Sequence, residues 1–203
     1  LDMQFSDGIN VFIGPNGVGK THLLKILYSA CCAADPKVSF SNKIVSCFAP
    51  DEHRISRLVR RKQGNNDASI HIRSKNERSS KVLSASFSNK TSKWDATVAG
   101  EEGWEKQREG LSSVFIPAKE ILSHSYNLNA AVAMNNVSFD DTYLDVINAA
   151  KIMISSGKDA AIKKTLLSQI EAIIEGKVFF DKERDEFYLK HGSTKIEFNL
   201  VAE

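Results

Sequence analysis

The sequence lacks an apolar run of the roughly 18 to 20 residues that a membrane helix needs, and it does not open on a signal-peptide pattern. We therefore expect no membrane partner. Cysteine is also scarce: Cys31, Cys32 and Cys47 are odd in number, and none has metal-ligand spacing. We interpret them as reduced, mostly buried thiols, which favours a cytoplasmic protein.

The sequence has no strong excess of either charge. Its net charge of +2 is too small to indicate nucleic-acid binding by itself. None of the five histidines shows metal-ligand spacing, so we assign none to a metal site. The remaining composition, 42% hydrophobic and 26% charged, is ordinary for a globular protein. A length of 203 residues allows one domain or two small ones.

A phosphate-binding motif stands near the start of the chain. "GPNGVGKT" (residues 14–21) follows the pattern G-x-x-x-x-G-K-[ST]. Glycines let backbone N–H groups converge on phosphate oxygens, and a helix that begins near Lys20 adds the positive end of its dipole. Lys20 is expected to reach the β and γ phosphates, and the Thr21 hydroxyl to bind Mg²⁺. The predicted cofactors are therefore ATP and Mg²⁺.

The flanks of the motif support it. A strand-like apolar run (residues 9–13) precedes the loop, and a helical apolar pattern (residues 23–31) follows it. A chance glycine-rich turn would not need either flank. His22 follows the threonine on the same helix and is expected to line the nucleotide pocket. The predicted nucleotide-binding residues are Gly14, Pro15, Asn16, Gly17, Val18, Gly19, Lys20, Thr21 and His22.

Turn signals and periodicity divide the first half of the chain into two segments. Residues 1–35 are expected to hold an N-terminal hairpin, the phosphate loop and its helix. Residues 36–111 are expected to form an antiparallel β lobe. A basic helix is predicted at residues 51–62, and the predicted strands are "KIVSCF" (43–48), "SIHIR", "KVLSASFS" and "KWDATV".

The second half divides similarly. In residues 112–176 we expect a strand that ends at Pro117, followed by a helical lobe with two amphipathic helices at 143–154 and 162–174. Residues 177–203 are predicted to be strands joined by turns. The chain opens and stops close to strand-like runs, so we expect it to be part of a longer polypeptide.

The sequence of the motif resembles that of ABC-type P-loop ATPases. Asn16 stands between Pro15 and Gly17, and the aliphatic stretch "INVFIG" leads into the loop. It is similar to the branch that contains RecF, structural-maintenance-of-chromosomes proteins and OLD-like ATPases. "VFIPAKEIL" together with "GVGKTHLLK" resembles AAA-type ATPases of bacterial antiphage systems, including those associated with retrons and Septu. The resemblance implies an α/β fold: a P-loop NTPase core with an antiparallel β lobe and a helical lobe, here the N-terminal half of an ABC ATPase head.

The resemblance also implies a function. Such ATPases bind Mg·ATP between two heads, so a homodimer or higher homo-oligomer is expected, and hydrolysis drives a conformational switch. The expected setting is antiphage defence, with a possible effector nuclease partner, or DNA repair. This chain alone is expected to bind nucleotide weakly and to hydrolyse almost none.

A Walker B element, an apolar strand followed by two acids, is not evident. "VFFDKE" (178–183) is the nearest candidate, but Lys182 takes the place of the second acid, and a hairpin strand that ends in a polar turn explains it better. "VSFDD" (137–141) is less apolar, and Asp140 and Asp141 suit a helix start. An LSGG-like signature is also missing. We therefore predict no catalytic residue, and expect both elements beyond this chain.

In ABC-type ATPases a glutamine loop follows the strand that leads into the helical lobe. The residues at the comparable place in this sequence, after Pro117, include no glutamine. Lys119 or Glu120, which follow Pro117, are candidates to report the γ-phosphate state, but a plain helix N-terminus fits them equally well.

Two further features have open interpretations. A basic cluster fits either a nucleic-acid surface or a solvated helix face, and its members are Arg54, Arg57, Arg60, Arg61 and Lys62. Arg54, Arg57 and Arg61 recur at helical spacing. Trp94 and Trp104 suit either base stacking or the anchoring of a small lobe. Two alternative functions also remain: a P-loop kinase in which the arginine cluster forms a lid, and a nucleotide-independent scaffold or DNA-binding module.

Overall fold

The computed structural model describes residues 2–74, 82–107, 111–119, 121–122, 125, 128–133, 139–155 and 161–201. The chain forms two compact units, Leu1–Ser113 and Val114–Glu203. Within the described part, no helix combines the length and the apolar character needed to cross a membrane.

The first unit combines helices with one antiparallel sheet. Its helices are α1 (Lys20–Cys32), α2 (Phe40–Phe48) and α3 (Glu101–Gln107), with short 3-10 turns at Asp51–His53 and Ile55–Leu58. Its strands are β1 (Asp67–Arg73), β2 (Val82–Ser88) and β3 (Thr97–Ala99), paired in the order β1-β2-β3. The strands predicted from "SIHIR" and "KVLSASFS" are confirmed. The third is shorter than predicted, because Lys93 and Trp94 lie in a turn before β3.

One face of this sheet packs against the helices. Exposed and half-buried side chains alternate along β1, and buried side chains alternate with half-buried or exposed ones along β2, as expected of an antiparallel sheet with one face on the core. The inward residues join helix residues in one apolar cluster, whose buried members include Ala30, Phe40, Ile44, Ile55, Leu83, Ala85 and Trp104. The cluster fastens the helix that follows the phosphate loop to the rest of the unit.

Residues 43–48, predicted to be a strand, belong to helix α2. The apolar side chains of Phe40, Ile44 and Cys47 are buried and recur once per helical turn. The N–H of Phe40 donates a 2.8 Å hydrogen bond to the carboxylate of Glu101, which satisfies a donor at the start of the helix. The β-branched pair Ile44 and Val45 favours a strand when considered locally. The helical spacing of the buried side chains and the hydrogen bond to Glu101 favour the helix that is observed.

The helix predicted at residues 51–62 is also wrong. Glu52 and His53 have φ values of 55° and 52°, which a right-handed helix does not allow. The N–H of Ile55 donates to the carbonyl of Lys93 at 2.6 Å, and the segment continues beyond Leu58 without helical structure. The arginines of this segment therefore do not share a helix face.

The residues before the phosphate loop form a turn without a strand ladder. The Asn10 side chain bonds to the N–H and the carbonyl of Ser6, and the rings of Phe5 and Phe12 lie 6.1 Å apart. However, Ile9 and Ile13 are 90% and 92% exposed, and no strand is formed in residues 2–19. The predicted buried strand is thus not observed, because the described residues provide no neighbouring strand to cover it.

The second unit contains four helices and a second antiparallel sheet within its described residues. The helices are α4 (Leu128–Ala133), α5 (Asp141–Ser155), α6 (Ala161–Ile173) and α7 (Phe198–Val201), and the strands are β4 (Lys177–Asp181), β5 (Glu186–His191) and β6 (Thr194–Glu197). The strand order is β4-β5-β6. This confirms the two predicted amphipathic helices and three C-terminal strands. The last predicted strand is wrong beyond Glu197, because residues 198–201 form α7. The strand predicted before Pro117 is absent from residues 111–119, where Ile116 is 81% exposed.

Candidate nucleotide-binding site

The phosphate loop owes its shape to glycines at two positions. Gly17 and Gly19 have φ values of 82° and 95°, in the left-handed region that favours glycine. A Cβ on Gly17 would meet no atom within 4 Å, and one on Gly19 would meet only Nδ1 of His22, at 4.0 Å. The glycines are therefore needed for backbone conformation, and the space beside them is open to a ligand.

Helix α1 begins directly after the loop and lacks a side-chain cap. Gly19 is its N-cap residue, and the hydrogen bond from the N–H of Leu23 to the carbonyl of Gly19, 2.9 Å long, closes its first turn. The N–H groups of Lys20, Thr21 and His22 come before this donor and have no acceptor within the helix. Together with the positive dipole end, they form an anion-binding terminus.

The ammonium group of Lys20 folds back over the loop. Its Nζ donates to the carbonyl oxygens of Gly14 and Pro15, at 2.7 and 2.8 Å. The structure therefore brings both ends of the motif together around one positive charge. Because Lys20 bonds to both carbonyls, it closes the loop. It also places a positive charge next to the loop backbone.

The other predicted site residues lie around this centre. Thr21, in the first turn of α1, and Asn16 and Val18, in the loop, are exposed. The ring of His22 packs against Phe48 of α2, with centroids 5.2 Å apart and planes inclined by 34°. His22 thus lies at the flank of the loop, in contact with the neighbouring helix.

The chemistry of these groups fits a magnesium nucleotide. Free helix N–H groups and an ammonium group suit phosphate oxygens, and the Thr21 hydroxyl suits Mg²⁺. Among the described residues, no cluster of three or more His, Cys, Asp or Glu side chains could hold a metal ion. A magnesium ion bound by one hydroxyl, phosphates and water needs no such cluster.

Two contacts away from the loop hold α1 in place. Nζ of Lys25 donates a 2.7 Å hydrogen bond to the carbonyl of Cys47, near the C-terminal end of α2, where a positive charge is favoured. Nε1 of Trp104 donates to the carbonyl of Ala30 at 2.8 Å. Trp104 is only 5% exposed, so it anchors the fold and does not stack on bases. The role of Lys25 could not be read from the sequence, because its partner is a backbone carbonyl 22 residues away.

The Walker B candidate at residues 178–183 is a hairpin strand that ends in a turn, as the alternative interpretation predicted. Asp181 ends β4, and its carboxylate accepts hydrogen bonds from the N–H groups of Glu183 and Arg184, at 3.1 and 3.3 Å. Nζ of Lys195 lies 3.1 Å from the other carboxylate oxygen. The hydrogen bond from Lys195 holds the pKa of Asp181 below its ordinary value. This carboxylate is committed to the turn.

The second Walker B candidate, residues 137–141, contributes to the start of a helix in the part that the structure describes. Asp140 accepts a 3.0 Å hydrogen bond from the N–H of Thr142 and caps the start of α5, which confirms the predicted helix start. Residues 137 and 138 lie outside the described residues, as does Glu120. Lys119 is exposed in a bend after Pro117, and its sensing role stays a prediction.

Comparison of the sequence with known proteins identifies its family. The sequence profile of the AAA domain matches residues 1–197. DNA replication and repair protein RecF from two strains of Streptococcus suis is 33% identical to this chain over 75 residues. That alignment covers 37% of the chain and 20% of each relative, so the chain matches about a fifth of their length. No solved structure matches.

The profile covers nearly the whole chain, and the matched span includes the glycine-rich loop and the uncapped helix that follows it. The chain therefore belongs to the AAA domain family of P-loop nucleotide-binding ATPases.

Proposed function

We propose that residues 14–22 bind Mg·ATP and that the chain is the ATP-binding half of an ABC-type ATPase. The observation that carries this proposal is the position of the Lys20 ammonium group, bonded to two carbonyls of the loop whose glycines precede an uncapped helix. Without an anion, a positive charge at the positive end of a helix dipole is unfavourable. A bound polyphosphate removes that conflict.

Each residue has a distinct task in the proposed complex. Backbone N–H groups from Gly17 to Thr21 donate to phosphate oxygens. Lys20 supplies a charge-assisted hydrogen bond to the β and γ phosphates, worth about 1.5 to 3 kcal/mol. The Thr21 hydroxyl takes one position on Mg²⁺. His22, fixed against Phe48, lines the side of the pocket.

In the intact protein, two such heads engage over bound ATP, and hydrolysis resets them. The resulting conformational change serves DNA maintenance or antiphage defence, where an effector nuclease is the expected partner. The similarity to a DNA replication and repair protein supports the first setting. The commitment of Asp181 to its turn supports a catalytic acid supplied from outside this chain. This chain alone then binds nucleotide but hydrolyses almost none.

Thermal unfolding of the purified protein with and without Mg·ATP tests the proposal. Nucleotide at a hundredfold excess over Kd should stabilise the folded state by about 2.7 kcal/mol, whereas Mg²⁺ alone should not. An unchanged melting temperature in saturating Mg·ATP would favour the nucleotide-independent scaffold. Transfer of phosphate to an added small acceptor, in place of release, would favour the P-loop kinase.

A further inference from the structure

The fold brings together two basic segments that are separated in sequence. Residues 51–62 carry five basic and two acidic side chains, and residues 89–95 carry two basic and one acidic. Because the whole chain has a net charge of only +2, the remainder is slightly acidic. The two segments together thus carry a net charge of +4, larger than that of the whole chain.

Backbone and amide hydrogen bonds hold the two segments side by side. The N–H of Ile55 donates to the carbonyl of Lys93 at 2.6 Å. Further along, the side chain of Asn89 donates to the carbonyl of Gly64 at 2.8 Å, and the N–H of Asn89 donates to the carbonyl of Asn66 at 2.9 Å. Residues 60–62 lie in sequence between these two attachment points, which limits how far the chain can carry their charges from the 89–94 turn.

Burial determines which side chains of the first segment face solvent. Ile55 and Val59 belong to the apolar core of the first unit. Arg60, Arg61 and Lys62, which follow, are exposed, and within the described part of the chain none of them forms an ion pair. Arg54 and Arg57 differ, because Glu52 and Asp51 pair with them at 2.6 and 3.3 Å. Three closely spaced cations are thus available to an anionic partner.

The second segment adds an exposed aromatic ring. Trp94 is 45% exposed, in contrast to the buried Trp104. Nζ of Lys93 lies 5.6 Å from the centroid of its ring, over one face. An indole bordered by cations is the combination that binds unpaired bases, because the bases stack on the ring while the phosphates meet the charges.

We propose that the basic patch, the exposed side chains of residues 54–62 and 90–94, binds single-stranded nucleic acid. Arg60, Arg61 and Lys62 contact backbone phosphates, and Trp94 stacks on a base. A duplex would satisfy the cations but not the indole, because its base faces are covered by stacking. This site is separate from the phosphate loop and does not depend on the proposed nucleotide binding.

Fluorescence anisotropy with a labelled oligothymidylate of about 20 nucleotides tests the proposal. Trp94→Ala should weaken binding roughly five- to a hundredfold. Replacing Arg60, Arg61 and Lys62 with alanine should make the slope of log Kobs against log salt less negative by roughly two, at about 0.7 per phosphate contact on a single strand. Replacing the exposed Lys37, Lys182 and Lys190, none of which forms an ion pair with a described residue, provides a charge-matched control, which should leave affinity nearly unchanged.

Further arms of the experiment exclude other sources of binding. Lys20→Ala, measured without nucleotide, should bind the oligonucleotide as the parent does, which separates this proposal from that of ATP binding. The oligonucleotide should quench the fluorescence of the parent but not that of Trp94→Phe, which keeps only Trp104. The proposal is wrong if a duplex or polyglutamate binds as well as the oligothymidylate does. It is also wrong if Trp94→Ala binds as the parent does, or if the control triple variant loses as much affinity as the patch variant.

Discussion

The indole Nε1 of Trp104 donates a hydrogen bond to the carbonyl of Ala30, in the last turns of α1. The N–H of Ala34, which would be the helical donor to this carbonyl, bonds to Cys31 instead. The tryptophan therefore satisfies one of the carbonyls that a helix leaves unpaired at its C-terminal end. A side chain from α3 thus completes the helix whose other end carries the phosphate loop.

Trp104→Phe should destabilise the first unit, because it leaves the buried carbonyl of Ala30 without this donor and leaves space beside it. We expect a loss of about 1 to 3 kcal/mol in the free energy of unfolding, measured by urea denaturation. The matched variant Trp94→Phe alters an exposed ring and should change stability by less than about 0.5 kcal/mol. Equal effects of the two variants would contradict the anchoring role.

Lys20→Ala should weaken Mg·ATP binding roughly ten- to a hundredfold, because it removes a charge-assisted hydrogen bond worth about 1.5 to 3 kcal/mol. Isothermal titration calorimetry measures the two affinities. Lys37→Ala removes an exposed lysine outside the loop and should bind as the parent does. Identical affinities of the Lys20→Ala variant and the parent would remove the nucleotide site from this loop.

Gly100→Ala should be far more disruptive than Gly64→Ala, although both glycines have φ values near 90°. A Cβ on Gly100 would lie 2.1 Å from the carbonyl oxygen of Val82, whereas one on Gly64 would meet nothing within 4 Å. The first substitution adds a backbone clash to the conformational cost of about 1 to 2 kcal/mol that both share. Thermal denaturation of the two variants provides the comparison, and similar melting temperatures would contradict the close packing of α3 on β2.

Asp181→Asn should lower stability without changing nucleotide affinity, because the carboxylate serves the β4–β5 turn and Lys195. The pKa of Asp181 is lowered in the folded state, so its contribution is present above the ordinary aspartate value of about 3.9 and is lost as the pH falls through the folded value. Denaturation at neutral and acidic pH should therefore show a difference between parent and variant that shrinks in acid. Loss of ATP hydrolysis on making the Asp181→Asn substitution in the intact protein, without loss of stability, would restore this residue as a catalytic acid.

Features encoded by local pattern were predictable from the sequence. The glycine, lysine and threonine positions of the loop follow from backbone conformation and phosphate chemistry, and α1, α5 and α6 follow from helical periodicity. The turn at Asp181 was readable because Lys182 breaks the Walker B pattern. In each case the residues that decide the structure lie within a few positions of one another.

Features that depend on distant partners were not predictable. Helix α2 is capped by Glu101, 61 residues away, and the 51–62 segment is bent by the bond from Ile55 to Lys93. The apolar runs at 9–13 and 112–117 have the composition of buried strands, but a strand forms only where another strand supplies its hydrogen-bond partners. Composition therefore predicts that a segment can form a strand, and the presence of a neighbouring strand decides whether it does.

Helix α1 connects the phosphate loop to Trp104. From Lys20 to Ala30 the helix rises about 15 Å, at 1.5 Å per residue. If a ligand at the loop tilts the first turn of α1, the bond from Trp104 to Ala30 couples that tilt to a buried indole. The emission wavelength of Trp104, observed alone in a Trp94→Phe background, would then serve as a built-in optical reporter of the state of the loop.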